Sequence, residues 1–236
     1  MKAVIQAGGK GTRLAPYTLV LPKPMMPVGD QPVIEILLKW LRRNNIEEVV
    51  ITTGHLAHII KSFCTNGDQW DMSISYCQEP EPLGTVGALK LIEDQLDGLF
   101  LMLNGDLITD LDLLEFKKSH IDSGAPLSIA TTNKQVNIDF GVIETENNQV
   151  TTFKEKPNFS KKVSMGLYIM NPEILQYIPR GVPYGFDNLM HKLLELEIPI
   201  NTYHHEGEWM DIGRVEDFKQ AQQDWADRHE KTMLGV

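Results

Sequence analysis

Close to the N-terminus, Ala7-Gly8-Gly9-Lys10-Gly11-Thr12-Arg13 follows directly on a short apolar run, Ala3-Val4-Ile5-Gln6. Glycines at such a point let backbone N–H groups approach a phosphate, and the lysine and arginine add positive charge. This is not a dinucleotide fingerprint, because G-x-G-x-x-G counted from Gly9 needs a glycine where Leu14 stands. Nor is it a Walker loop, since no Gly-Lys-Ser/Thr closes it. Tight strand–loop geometry alone explains many glycine-rich turns, so the residues that follow matter. In Leu21-Pro22-Lys23-Pro24-Met25 a lysine stands between two prolines, which hold the backbone in extended or turn conformations. A lysine on so stiff a mount is poorly suited to being a drifting surface charge.

The elements that would position these residues alternate between strand and helix. Ala3 to Gln6 is β-like, and Val33, Ile34, Leu37, Leu38 and Leu41 recur at helical spacing with Lys39, Arg42 and Arg43 opposite. Residues 49–53 are β-branched and predict a buried strand, followed by a helix over 55–63 that stops at Asn66-Gly67. A strand over 74–77, a helix over 86–96 and an apolar strand over 99–103 come next, the last running into Asn104-Gly105-Asp106. Repeated βα units with continuous apolar strands predict an α/β fold with a mostly parallel sheet covered by helices on both faces. The second half changes character. It predicts a hairpin around Asn147-Asn148, a strand over 164–170, a short helix over 172–177 and a longer one over 187–196. A last strand over 200–205 and a helix over 215–229 complete the pattern. No linker or internal repeat divides the chain, so one domain over 1–236 is expected.

Composition narrows the classes. The chain has 236 residues, 42% hydrophobic and 23% charged, with a formal net charge of -10. That is long enough for a sizeable core and too apolar for disorder. No apolar run approaches the ~20 residues of a membrane span, and the glycines after the first apolar stretch do not fit a signal peptide. Two cysteines, Cys64 and Cys77, make neither a disulfide scaffold nor a zinc site. A cytoplasmic protein with no membrane partner is expected, and the acidic sum speaks against a nucleic acid polymer. The sum conceals a local field, however. The first 43 residues carry seven basic side chains against Asp30 and Glu35, a net +5, which leaves -15 for the rest. A basic, glycine-rich start on an acidic chain predicts a small anionic ligand there.

The run Gly-Gly-x-Gly-Thr-Arg-Leu followed by Pro-Lys-Pro resembles the signature of the sugar-1-phosphate nucleotidylyltransferases. Further blocks follow in the family's order: Glu79-Pro80-Glu81-Pro82-Leu83-Gly84-Thr85-Val86-Gly87, Leu103-Asn104-Gly105-Asp106, Phe140-Gly141-Val142, Glu155-Lys156-Pro157, Ser164-Met165-Gly166-Leu167-Tyr168 and Trp209-Met210-Asp211-Ile212-Gly213. The resemblance implies a three-layer Rossmann-like nucleotide-diphospho-sugar transferase fold, with a mostly parallel central sheet and a mixed subsheet on the substrate side. Residues 1–110 would mainly bind nucleotide and 111–236 mainly sugar phosphate. It implies magnesium held by Asp106 and Asp211. It implies a nucleoside triphosphate bound by Gln6, Ala7, Gly8, Gly9, Gly11, Thr12, Glu79, Gly84, Thr85, Asn104 and Gly105, with the segment from Glu79 to Gly87 recognising the base. Arg13 and Lys23 would meet the phosphates as the catalytic cations. Gly141, Glu155, Lys156, Met165 and Gly166 would face the sugar phosphate.

The implied reaction joins a sugar 1-phosphate to the α-phosphorus of a nucleoside triphosphate and releases pyrophosphate. Its nucleophile is a phosphate monoester already ionised near neutral pH, with a second pKa of ~6, so no general base is required. The task is to bring two polyanions together in line, which calls for cations rather than a triad. A carboxylate at Glu79 can accept from guanine N1–H and N2–H₂ but offers nothing to O4 of uracil or thymine. With the Glu-Pro-Leu-Gly-Thr wording, this leans towards GTP and mannose 1-phosphate or a related sugar; dTTP or UTP with glucose 1-phosphate is the alternative. Gln6 stands where the family commonly has leucine; it either packs without consequence or places an amide near the base and alters the preference.

Other residues have plainer readings. Asp110 and Asp112 suit a turn or a helix N-cap. His55, His58, His204 and His205 lack a metal-ligand constellation, Cys64 and Cys77 suit buried thiols, and Met25, Met26 and Met165 suit packing, with Met165 also able to line a sugar pocket. Two rival classes fit the residues less well. A non-catalytic NDP-sugar-sensing subunit would have lost Arg13, Lys23, Asp106 or Asp211, and all four are present. A glycosyltransferase would use Asp110-Leu111-Asp112 as its metal motif and leave the glycine-rich start unexplained. Hexapeptide repeats are absent, so a minimal monofunctional enzyme is expected. Homo-oligomerisation is left open.

Overall fold

The computed structural model describes the backbone of residues 1–234. The chain opens with β1 (Lys2–Ala7), short β2 (Pro27–Val28) and β3 (Gln31–Pro32), α1 (Val33–Arg43), β4 (Glu48–Thr53), α2 (Ala57–Cys64), β5 (Ser73–Gln78) and the four-residue α3 (Gly84–Gly87). Next come β6 (Phe100–Asn104), β7 (Leu107–Thr109), α4 (Leu113–Ser123), β8 (Leu127–Asn137), the hairpin β9 (Val142–Glu146) and β10 (Gln149–Lys154), and β11 (Asn158–Met170). α5 (Phe186–Glu195), β12 (Ile200–His204), β13 (Trp209–Asp211) and α6 (Val215–Leu234) complete it.

Seven strands form the central sheet in the order β12-β8-β11-β6-β1-β4-β5. β1 runs parallel to β4 and β6, and β4 parallel to β5. β11 turns antiparallel between β6 and β8, and β12 lies parallel to β8 at the far edge. The expected parallel nucleotide side and mixed second side are therefore two parts of one sheet. The two-residue period of each strand sorts its side chains between two cores. Ala3, Ile5, Val49, Ile51, Leu101 and Leu103 face Leu37, Leu41, Ile60 and Phe116 of the helices on one side. Val4, Val50, Phe100 and Met102 face Val86, Leu89, Leu189 and Leu193 on the other. A third cluster joins Leu14, Met26 and Val28 to Ile212 and Ala221, so α6 clamps the loops near the N-terminus.

Three local differences from the sequence reading have physical causes. The expected helix over 86–96 is broken into α3 and two 3-10 turns, Ala88–Leu91 and Glu93–Gln95. Val86 and Gly87 both donate to the Tyr184 carbonyl at 3.1 Å, which ties the first turn to a distant loop instead of letting it propagate. β8 was not legible, because only its first half is buried and its second half is polar and exposed. His55 precedes α2, and its ring bonds the Thr18 carbonyl at 3.1 Å. Asp112 does cap α4, accepting from the Leu114 and Glu115 N–H groups at 2.9 and 3.1 Å.

Candidate active site

At the C-terminal ends of β1 and β6 and under the loop after β5 lies a cavity of about 440 Å³, where an open α/β sheet exposes ligands. Its wall gathers Gln6, Ala7, Gly8, Gly9, Gly11, Thr12, Arg13 and Lys23 from the N-terminal segment, Glu79, Gly84 and Thr85 from the loop after β5, and Asn104, Gly105 and Asp106 from the end of β6. The residues expected around the triphosphate thus converge on one space. Pro24 and Pro82 line it as well.

The loop is held by residues that the sequence reading passed over. The Thr18 hydroxyl donates to the Gly11 carbonyl at 2.8 Å, and Gly11 sits at φ 61, where a side chain would be strained and would meet Thr18. The His55 N–H donates to the Gly8 carbonyl at 3.3 Å, and Gly54 leaves room for that close approach. A glycine directly after a parallel strand was the available signal. Gly8 faces the Glu79 carboxylate so closely that a methyl group there would run into Oε1. The other oxygen of Glu79 accepts from the Leu83 N–H at 2.8 Å. Burial pushes the Glu79 carboxyl above its ordinary range, and the Leu83 N–H opposes that rise.

Asp106 and Asp211 come together through a short ladder. β13 pairs antiparallel with β7, placing Asp211 opposite Leu107, and the Ile212 N–H donates to the Asp106 carbonyl at 3.0 Å. Trp209 anchors that ladder, its indole N–H donating to the Met165 carbonyl at 2.8 Å. Lys23 reaches into the pair. Its ammonium forms an ion pair with Asp106 and lies 3.8 Å from Asp211 Oδ1, a charge contact rather than a hydrogen bond. Lys23 is pushed below the usual lysine range, mainly by burial and then by Arg13, against the pull of Asp211 and Asp217. Asp211 Oδ1 is buried and has no hydrogen-bond partner among the described residues.

No group of three His, Cys, Asp or Glu side chains among the described residues could cage a metal ion. Two carboxylates nevertheless fit magnesium, which keeps several waters and takes the rest of its shell from substrate phosphates. The unbonded Asp211 oxygen is a hard donor of the right kind. Asp110 and Asp112 are occupied otherwise: Asp110 accepts from the Glu208 N–H at 2.7 Å and from the His205 ring at 2.8 Å, and Asp112 caps α4. That employment removes the glycosyltransferase-like motif.

The residues expected at the sugar phosphate are not gathered in the same way. Gly141 and Glu155 adjoin each other at the base of the β9–β10 hairpin, where Phe153 packs over Gly141. Lys156 follows at φ 43 and is exposed. Gly166 lies in the bulge of β11 against the Asn104 side chain, at φ 76. The Met165 side chain is buried in the first core, so its carbonyl braces Trp209 while its sulfur packs. Cys64 is a fully buried thiol pushed up to about 12 by desolvation, and Cys77 is half-buried. No helix among the described residues is long and apolar enough to cross a membrane.

Comparison with known proteins agrees with this architecture. The chain is 36% identical to a UTP–glucose-1-phosphate uridylyltransferase of Synechocystis sp., over 94% of its own length and 62% of the relative's. It is 33% identical to a mannose-1-phosphate guanyltransferase of Candida albicans, over 92% of its length and 62% of the relative's. It therefore spans about three-fifths of the curated relatives it matches. The crystal structure of HddC from Yersinia pseudotuberculosis complexed with GMP-PN superposes with a TM-score of 0.75 at 24% identity, covering 95% of this chain and 99% of that one. A family model described as nucleotidyl transferase matches residues 2–228, and the chain belongs to that family.

Proposed function

We propose that this chain transfers a nucleotidyl group from a nucleoside triphosphate to a sugar 1-phosphate, giving an NDP-sugar and pyrophosphate. The carrying observation is the convergence of Arg13, Lys23, Asp106 and the glycine loop on one cavity, with Asp211 brought beside Lys23. An oxygen of the sugar phosphate bonds to the α-phosphorus as the bond to the β-phosphate oxygen breaks, and pyrophosphate leaves. The loop N–H groups and Thr12 hold the triphosphate, Arg13 neutralises the departing pyrophosphate, and Lys23 serves the α-phosphate. Lys156, with Gly141, Glu155 and Gly166, receives the sugar phosphate. Magnesium, held by Asp106 and Asp211, supplies charge neutralisation when bound.

GTP with mannose 1-phosphate or a related sugar is the preferred pair, because Glu79 presents a carboxylate to the base. The 36%-identical relative named for UTP and glucose 1-phosphate favours the second reading, UTP or dTTP with glucose 1-phosphate. The test crosses ATP, CTP, GTP, UTP and dTTP with a panel of sugar 1-phosphates and magnesium, reading pyrophosphate release. Release with GTP above all others is expected. Release with UTP or dTTP alone would replace the preferred base, and no release in any well would remove the enzyme reading.

A further inference from the structure

Gln6, Thr52 and Asn104 stand side by side across three parallel strands. The register pairs Gln6 with Thr52 on β4 and with Asn104 on β6. Two residues earlier, Val4, Val50 and Met102 all face the second core, so the strand period turns Gln6, Thr52 and Asn104 to that same face at the sheet's C-terminal edge. Gln6 and Asn104 there line the cavity with Glu79. Thr52 is fully buried, and its hydroxyl donates to Gln6 Oε1 at 2.8 Å. Its other acceptor, the Ile5 carbonyl, lies at 3.4 Å, a poor hydrogen-bond distance. The Gln6 oxygen is therefore occupied, and the amide is oriented. Its Nε2 is screened from water with no acceptor among the described residues. A buried unpaired donor is costly and calls for an explanation.

Resting on the nucleotide reading above, we propose that Gln6 is a specificity-determining residue: its Nε2–H donates to the keto oxygen of the bound base, O6 of guanine. Glu79 complements it. One Glu79 oxygen is held by the Leu83 N–H, and the other lies free beside Gly8 to accept from the ring N–H edge. Each reader thus has one group fixed by the protein and one that no protein group pairs. Adenine and cytosine carry an amino group where the keto oxygen would be, setting two donors against each other. Uracil and thymine keep a keto oxygen, so Gln6 admits them, and Glu79 separates them from guanine, which offers two donors. Gln6 sorts keto from amino bases, and Glu79 sorts among the keto bases.

The test compares GTP with 6-thioguanosine triphosphate, which keeps N1–H and N2–H₂ but replaces the keto oxygen by a weak acceptor. Values of kcat/KM and equilibrium nucleotide affinity are read for the wild type, Gln6→Leu and Thr52→Val. The wild type should prefer GTP by about 10-fold or more. Gln6→Leu should lose about 10- to 30-fold on GTP and little on the thio analogue, collapsing the preference. Thr52→Val, which keeps the shape but frees the amide, should weaken the preference through Gln6. Unchanged discrimination in a Gln6→Leu protein with a native circular dichroism spectrum would overturn the assignment. So would a wild-type preference for 2,6-diaminopurine riboside triphosphate, which requires the amide oxygen to face the base. If the wild type uses UTP and not GTP, the guanine reading fails, and the same comparison runs with UTP against 4-thiouridine triphosphate. If no triphosphate binds, both readings fall.

Discussion

The two ends of this molecule are built differently. At the end proposed for the nucleotide, three parallel strands, β1, β5 and β6, release their loops into one cavity. Each loop is tied down from outside: Thr18 holds Gly11, Gly54 and His55 hold Gly8, Leu83 holds Glu79, and the β7–β13 ladder holds Asp211 beside Asp106. At the end proposed for the sugar phosphate, the long β8–β11 ladder leaves the core and carries the β9–β10 hairpin with it. There Phe140 and Phe153 are exposed, at 76% and 60%, and Lys156 lies outside the cavity wall. Preorganised groups act on charge without having to move, which in the proposed reaction matters most where pyrophosphate would depart. On the proposed function, the difference reads as one end organised in the free protein and the other left for its ligand to complete.

The strongest way to break this comparison is at the aspartates. Asp106→Asn or Asp211→Asn should lower kcat by about 10³-fold at saturating magnesium, since each removes a carboxylate from the cation-binding pair. Steady-state pyrophosphate release measures it, and unchanged turnover in either variant would remove that residue from the metal role. A smaller effect sharpens the division between the ends. Arg13→Ala should weaken nucleotide and leave the sugar phosphate alone, whereas Lys156→Ala should raise KM for the sugar 1-phosphate by about 10- to 100-fold with nucleotide affinity unchanged. A Lys156→Ala protein that loses both substrates equally would join the two ends into one site.

The lining of the candidate cavity was legible in the sequence because its residue pattern is local. Glycines after a strand, a lysine between prolines and an aspartate ending an apolar strand each carry their reason within a few residues. The β9–β10 hairpin was equally local, announced by Asn147-Asn148, which take φ values of 48° and 62°. What stayed hidden depends on distant partners. The helix over 86–96 was broken by the Tyr184 carbonyl. β8 loses its alternation because half of it leaves the core. The unpaired amide of Gln6 needed the register with Thr52, and an odd residue type was its only trace in the sequence.

The central claim is that the nucleotide site is formed before substrate binds and the sugar-phosphate site is not. Isothermal titration of the free protein with magnesium tests it most directly, using a GTP analogue that cannot be cleaved between the α- and β-phosphates and, separately, mannose 1-phosphate. The analogue should bind the free protein, and the sugar phosphate should bind with measurable heat only once the analogue is present. Equal affinity of the sugar phosphate for the free and the nucleotide-loaded protein would contradict the account.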